Sequence, residues 1–264
     1  MFDFELGKMF GFVILSFAVF SSGGAAAAIN DTSMNIQLIG SDFVQIVNAP
    51  YMASLRGLNN IHFCGATIVS TRFVLTAAQC IVRRIHIHIN VIVGTSVRTG
   101  AGGTHRSQDI IVHPSFNFRT LENDIGLVMT QTAIVFGPNV QTAYINHRLN
   151  VNNMPVTMAG WGIGIHGSSE PSNLQGISTA TINNPRCARL QEAHNSWRIT
   201  TKKICTSTDD RVGICYGDEG GALMSDYEII GVASWHSHCD PSIPNVYERV
   251  APHRLWLLSR ITIL

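Results

Sequence analysis

Apolar positions along this chain fall in short runs, not in long stripes. Between residues 38 and 250 the runs are β-branched or alternate with polar residues, as in Arg84-Ile-His-Ile-His-Ile-Asn-Val-Ile-Val93, Asp109 to Val112, Val156 to Met158 and Ile229 to Ser234. Glycine, proline or asparagine separates most of them, and no long stretch of 3.6-residue period intervenes. A period near two, punctuated by turn formers, predicts an all-β fold of sandwich or barrel type. Only the tail, Pro252 to Leu264, reads as helical, with Leu255, Trp256 and Leu258 as its apolar stripe. No low-complexity linker or short-period repeat divides the chain.

The N-terminal segment follows a different rule. Met9 to Phe20 is an apolar run, followed by Ser-Ser-Gly-Gly and then Ala25 to Ala28, which predicts a signal peptide over residues 1–28 and a secreted, extracellular product. A retained signal anchor is the alternative, since residues 9–28 carry no charge, but the small residues speak against it. Acidic Asp3 and Glu5 point to Met9 as a second candidate start. Asn30-Asp-Thr32 meets the N-glycosylation pattern just beyond the expected cleavage zone.

Length and charge narrow the picture only a little. The 264 residues suffice for a sizeable core in one large β domain or two halves. The formal net charge of +1 names no nucleic-acid or acidic partner. Six cysteines, at 64, 80, 187, 205, 215 and 239, fit an even disulfide set in an oxidising compartment, with fifteen possible pairings. No Cys-x-x-Cys pair supports a zinc ribbon or a thioredoxin-type motif.

Candidate chemistry gathers around Gly217-Asp-Glu-Gly-Gly-Ala-Leu223. In order along the chain, Pro50-Tyr-Met-Ala-Ser-Leu55, His62-Phe-Cys-Gly65, Thr76-Ala-Ala-Gln-Cys80, Asn123-Asp-Ile-Gly-Leu127, Gly160-Trp-Gly162, Gly217 to Leu223 and Ser234-Trp235 resemble the landmarks of the chymotrypsin-like (S1) serine protease family. The resemblance covers about Leu38 to the C-terminus, and Cys187 to Cys215 is most similar to insect chymotrypsins. It implies two antiparallel six-stranded β-barrels, about 38–140 and 141–264, with a cleft between them and a short C-terminal helix. Residues 29–37 then form a short pro-like segment. The resemblance also implies the pairings Cys64 with Cys80, Cys187 with Cys205, and Cys215 with Cys239.

Residue by residue, the family's acid falls on Asp124, its base histidine on Gln79 and its nucleophilic serine on Glu219. A serine hydroxyl attacks a carbonyl once a base takes its proton, whereas a carboxylate is a weak nucleophile and repels a developing oxyanion. Glutamine accepts no proton near neutral pH. The expectation is that the Gln79 amide donates one hydrogen to Asp124 and another to Glu219. A carboxyl pair formed by Glu219 and Asp124 could run acid-base chemistry only if their environments split the two pKa values, and no motif supports it.

Two further departures lie nearby. Gly213 stands where a trypsin-like enzyme has aspartate, and His236 and Asn245 stand where the family has glycines lining the pocket formed with Ser234 and Trp235. Side chains at those positions narrow or fill the pocket. Leu38-Ile-Gly-Ser41 resembles the terminus freed by zymogen cleavage, but Gln37 precedes it where a cation is expected. Asp218, His62 and Ser54 are then expected to form the zymogen-type trio, or to be inherited without energetic consequence. Gly217 falls on the oxyanion-hole position.

The resulting expectation is a catalytically inactive serine protease homologue, monomeric, that binds a protein, an inhibitor or a glycan through the altered cleft. It needs no cofactor or metal, contacts no nucleic acid, and leaves the membrane once the signal is removed. Two rivals remain: an active S1 endopeptidase, and a polyanion or metal binder built on Arg83-Arg84 followed by His86 and His88, the histidines alternating on one face of a strand. His236 and His238 repeat that spacing and read as solvated loop residues.

Overall fold

The computed structural model describes residues 42–162, 171–192, 198–209 and 212–262. The expected signal segment, Asn30 and the Gln37–Leu38 bond lie outside the described residues. A two-residue strand β1 (Asp42–Phe43) precedes β2 (Met52–Arg56), β3 (His62–Ile68), β4 (Phe73–Thr76), β5 (Asn90–Val93), β6 (Gly103–Val112) and β7 (Gly126–Thr130). Strands β2 to β7 close into an antiparallel barrel in the order β2-β3-β4-β7-β6-β5, with β5 returning to β2.

After β8 (Tyr144–Ile145) come β9 (Pro155–Gly160), β10 (Gln175–Ile182), β11 (Lys203–Thr206), β12 (Ala222–Ser225), β13 (Glu228–Trp235) and β14 (Val246–Arg249). Six of these, β9 to β14, close a second antiparallel barrel in the order β9-β10-β11-β14-β13-β12, with β12 returning to β9. The short β8 adds to β13 in parallel, and β1 crosses over to pair with β10 of the second barrel. The fold is thus the all-β, two-barrel architecture that the motifs imply.

Each barrel buries its own apolar filling. Met52, Leu55, Ile68, Leu75 and Leu127 are inaccessible or nearly so in the first, and Met158, Ile204, Leu223, Ile230 and Tyr247 fill the second. At about 1.5–3 kcal/mol for each large apolar side chain, such filling dominates the favourable side of folding. Three disulfides add covalent ties: Cys64–Cys80, Cys187–Cys205 and Cys215–Cys239. Each closes a loop of 16 to 24 residues, the range in which chain entropy predicts about 3 kcal/mol apiece.

Helix content departs from expectation. Besides the tail, a short α1 (Ala78–Ile81) follows β4, and α2 (Asn184–Gln191) follows β10. The start of α2 is fixed by Asn183, whose side chain accepts from the Arg186 N–H at 2.8 Å, with Pro185 in the first turn. It has no apolar stripe for periodicity to detect, because the face it buries carries Cys187 and Gln191. The C-terminal α3 (Arg254–Ile261) lies within the predicted span, but its buried anchor is Leu257, while Leu255 is 80% exposed.

The run from Arg84 to Val93 is also not one strand. His86–His88 form a 3-10 turn and β5 begins only at Asn90. Three residues per turn put His86 and His88 on different sides, so they do not share a strand face.

A charged cluster is buried against the outer face of the second barrel, since Lys203 and Glu248 alternate with the core residues Ile204 and Tyr247. Lys203 Nζ on β11 lies 2.6 Å from Glu248 Oε2 on β14, while Glu248 Oε1 meets His253 Nε2 at 2.7 Å. Lys203 also donates to Leu121 O at 2.5 Å and sits 4.6 Å from the centre of the Trp235 ring. Burial works to raise the Glu248 carboxyl, but His253 and Lys203 together hold it below the ordinary glutamate value.

Candidate functional site

The loop before β12 sets residue 219 between the barrels. Gly220 has φ +84°, and a Cβ there would lie 2.1 Å from Thr76 Oγ1 and 2.4 Å from Gly65 O, so only glycine lets the loop lie this close to β3 and β4. Glu219 O accepts from the Gly65 N–H at 2.8 Å, and the Gly220 N–H donates to Ala233 O at 2.9 Å. One bond reaches each barrel. The Cys215–Cys239 disulfide closes the loop against the segment that follows β13.

The Glu219 side chain folds back on its own loop. Its Oε2 accepts a hydrogen bond from the Gly217 N–H at 2.8 Å, and its Oε1 lies 3.2 Å from His236 Nε2. His236 is almost covered, with Tyr216 edge-on against its ring at 4.7 Å. Its Nδ1 accepts from the Cys239 N–H, which leaves the Nε2 proton directed at the carboxylate.

Gln79 on α1 points at Asp124, but not at Glu219. The Asp124 Oδ1 accepts from the Gln79 N–H at 2.8 Å, and Oδ2 accepts from Gln79 Nε2 at 2.7 Å and from Ser234 Oγ at 2.7 Å. The second amide hydrogen goes to Ser234 O at 2.5 Å, across to the other barrel. The expected bond to Glu219 is therefore replaced, because that carboxylate has turned to Gly217 and His236. Despite three donors, burial raises the Asp124 carboxyl to about 6.

Behind the loop, the expected trio is rearranged. Ser54 Oγ and His62 Nδ1 are 2.8 Å apart, but His62 Nε2 meets Gly217 O at 2.8 Å instead of the Asp218 carboxylate. A carbonyl can only accept, so Nε2 carries the proton, Ser54 donates to Nδ1, and Arg56 Nε donates to Ser54 Oγ at 3.1 Å. Burial holds His62 down to about 4, so it is neutral at physiological pH. The Gly217 peptide is thus held at both ends, by His62 at its carbonyl and by Glu219 at its N–H.

The Asp218 carboxyl turns the other way, accepting from the Gly162 N–H at 2.8 Å and the Cys215 N–H at 3.0 Å. A Cβ on Gly160 would come within 2.0 Å of Asp218 Oδ1, so the Gly160-Trp-Gly162 spacing makes the space it enters. Desolvation, with Glu219 adding to it, pushes Asp218 up to about 7.

The pocket residues converge as a wall. The Asn245 amide nitrogen lies 2.6 Å from where a Cβ on Gly213 would stand, and Asn245, Ser234 and Trp235 are all buried. The Asn245 amide thus fills the space beside Gly213, while His236 is turned toward Glu219.

The trypsin family model matches residues 38–257. The chain belongs to the trypsin family. Relatives include a vitellin-degrading protease of Bombyx mori, 30% identical over 245 residues and covering 91% of each chain, and chymotrypsin-2 of Vespa crabro, 33% identical over 213 residues, covering 79% of this chain and 92% of the wasp protein. Among solved structures, the scabies mite inactivated protease paralogue S-D1 superposes with a TM-score of 0.79 at 22% identity, over 85% of this chain and 97% of that one. HL collagenase superposes with a TM-score of 0.75 at 26% identity, over 86% and 100%. The mite likeness speaks to the fold.

In this trypsin-family chain the cleft continues past Gln79 into a cavity of about 440 Å³, lined by the Cys64–Cys80 disulfide, Gln79, Arg83, Arg84, Phe118 and Glu219. Arg84 Cζ lies 3.4 Å from the Phe63 ring centre and its Nε donates to Cys80 O at 2.9 Å, while Arg83 Cζ lies 4.1 Å from the Phe118 ring centre. The sequence marks both arginines as candidates, but Phe63 appears only as part of the His62-Phe-Cys-Gly65 motif on β3 and Phe118 only as an aromatic between β6 and β7. Among the described residues no group of three or more His, Cys, Asp or Glu side chains is arranged to hold a metal. No helix among them is long and apolar enough to cross a membrane.

Proposed function

We propose that this trypsin-family protein is a secreted, monomeric, non-catalytic homologue that works by binding a protein ligand in its altered cleft. The observation that carries this reading is the Glu219 carboxylate on the Gly217 N–H. In acyl transfer such a backbone donor must be free to meet a developing oxyanion, and removing one donor from an oxyanion hole costs about 10²–10³-fold in rate. Here the donor is taken by a negative charge covalently tied to the same loop. An anionic intermediate placed there meets like-charge repulsion as well.

Support also comes from Gln79. Both of its amide hydrogens are committed, to Asp124 and to Ser234 O, and an amide takes up no proton near neutral pH. The relatives' names, a protease and a chymotrypsin, favour the competing reading of an active endopeptidase. That reading needs a nucleophile and a base, and residues 219 and 79 supply neither.

A fluorophosphonate probe tests the proposal. The folded protein is expected to remain unlabelled under conditions that label an active trypsin-family enzyme. Robust labelling that disappears on mutating one serine would overturn it.

A further inference from the structure

Beside Gln79, the 440 Å³ cavity is lined by two guanidinium groups and by Glu219, whose carboxylate is bonded to Gly217 and His236. We propose that this cavity binds an acidic, partly apolar peptide segment of a partner protein, with carboxylates of the segment meeting Arg83 and Arg84. The inference rests on the reading of the cleft as a binding site and names the chemistry of what enters it.

The arginines are set in place before any ligand arrives. Arg84 is stacked on Phe63 and anchored to Cys80 O through Nε, which leaves the terminal nitrogens of its fork for a carboxylate. Arg83 is stacked on Phe118. Among the described residues neither guanidinium is paired with a carboxylate. Ordering of long side chains is a main cost of association, and stacking removes part of it in advance.

Glu219 also lines the cavity, yet its two oxygens are directed to Gly217 and His236. Neither oxygen forms an ion pair with Arg83 or Arg84, and the charge that Glu219 keeps favours placing a ligand carboxylate at the arginines. At about 440 Å³ the cavity falls in the range of ~300–1,000 Å³ typical of sites that enclose a ligand.

The surroundings favour a peptide over a polyanionic glycan. The turn that carries the arginines also exposes Val82, Ile85 and Ile87, and Phe118 is 45% exposed. Apolar side chains next to paired charges suit a segment in which acidic and aliphatic residues alternate. A sulfated chain has no use for that apolar rim, and two cations give it little hold.

The test uses fluorescence anisotropy with a labelled hexapeptide of alternating glutamate and leucine, its glutamine-leucine counterpart, and a heparin-derived hexasaccharide. The glutamate peptide is expected to bind and to weaken as salt rises, with the glutamine peptide weaker by about tenfold or more. Arg83→Glu and Arg84→Gln are each expected to weaken it by about tenfold or more, while Arg260→Ala on α3 leaves it unchanged. Arg83 is exposed, so Arg83→Glu carries the test if Arg84→Gln fails to fold.

Equal binding of both peptides, no binding of either, or binding indifferent to Arg83→Glu overturns the proposal. So does tighter binding of the hexasaccharide that the same substitutions abolish. The same preparation is treated with the fluorophosphonate probe: labelling defeats the non-catalytic reading, whereas failure of the peptide without labelling defeats only the choice of ligand.

Discussion

The Glu219 carboxylate and the Gly217 N–H, two residues apart, meet at 2.8 Å, and His62 holds the carbonyl of the same glycine from behind. The loop is therefore satisfied internally. Replacing Glu219 by alanine removes the acceptor and leaves a half-buried N–H in search of water. The expected loss is about 1–2 kcal/mol in unfolding free energy, read from urea denaturation. An unchanged midpoint would show that the contact carries no weight.

Reinstalling a serine and a histidine does not by itself make an enzyme. The double change Glu219→Ser with Gln79→His leaves Asn245 against Gly213 and His236 in the wall. Activity on chymotrypsin and trypsin peptide substrates is expected to remain at least ~10³-fold below that of an active relative assayed alongside. Adding His236→Gly and Asn245→Gly should then raise kcat/KM. Full activity from the double change alone would contradict the account of the pocket.

Desolvated carboxyls give the protein an unusual dependence on pH. Asp218 is raised to about 7 from an ordinary 3.8, so the folded state holds its proton more tightly than the unfolded chain does. The stabilisation from this group is complete below about pH 4 and is lost as pH rises through 7. His62 has the opposite sign. Lowered to about 4, it contributes stability above its unfolded value of 6.5 that is lost as pH falls through 4. Unfolding free energies measured from pH 4 to 8 should therefore fall with rising pH more steeply in the wild type than in Asp218→Asn. They should fall with lowering pH more steeply in the wild type than in His62→Gln. Parallel curves for either pair would refute the assignment.

The buried Lys203–Glu248 pair predicts a double-mutant cycle. Lys203→Met leaves Glu248 buried beside His253 without its cation, at an expected cost of about 3–5 kcal/mol. The double change Lys203→Met with Glu248→Leu removes both charges and should recover most of that loss. Additive losses in the cycle would mean that the two groups do not act as a pair.

Much of the fold was legible because it is written in local signals. Glycine and asparagine between short β-branched runs mark the strands, and the motif order from Pro50 to Trp235 implies how two barrels are connected. The failures were local as well. From His86 to His88 the alternating pattern mimics a strand, yet the chain turns there, and α2 was hidden because only Cys187 and Gln191 mark its buried face. At the site, residue types at 79, 124 and 219 could be read, but not their partners. Whether Gln79 donates to Glu219 or to Ser234 O depends on which way a carboxylate turns inside the glycine loop before β12. No spacing rule encodes that choice.

Gln79 also changes what holds the two barrels together. Through one amide it joins Asp124 in the first barrel to the Ser234 carbonyl in the second. A histidine at this point would change charge near neutrality, so the joint would loosen or tighten with the acidity of its surroundings. The amide has no such second state. The bond to the Ser234 carbonyl therefore keeps the same charge across the physiological range, and only the Asp124 end of the joint, raised to about 6, responds to acid.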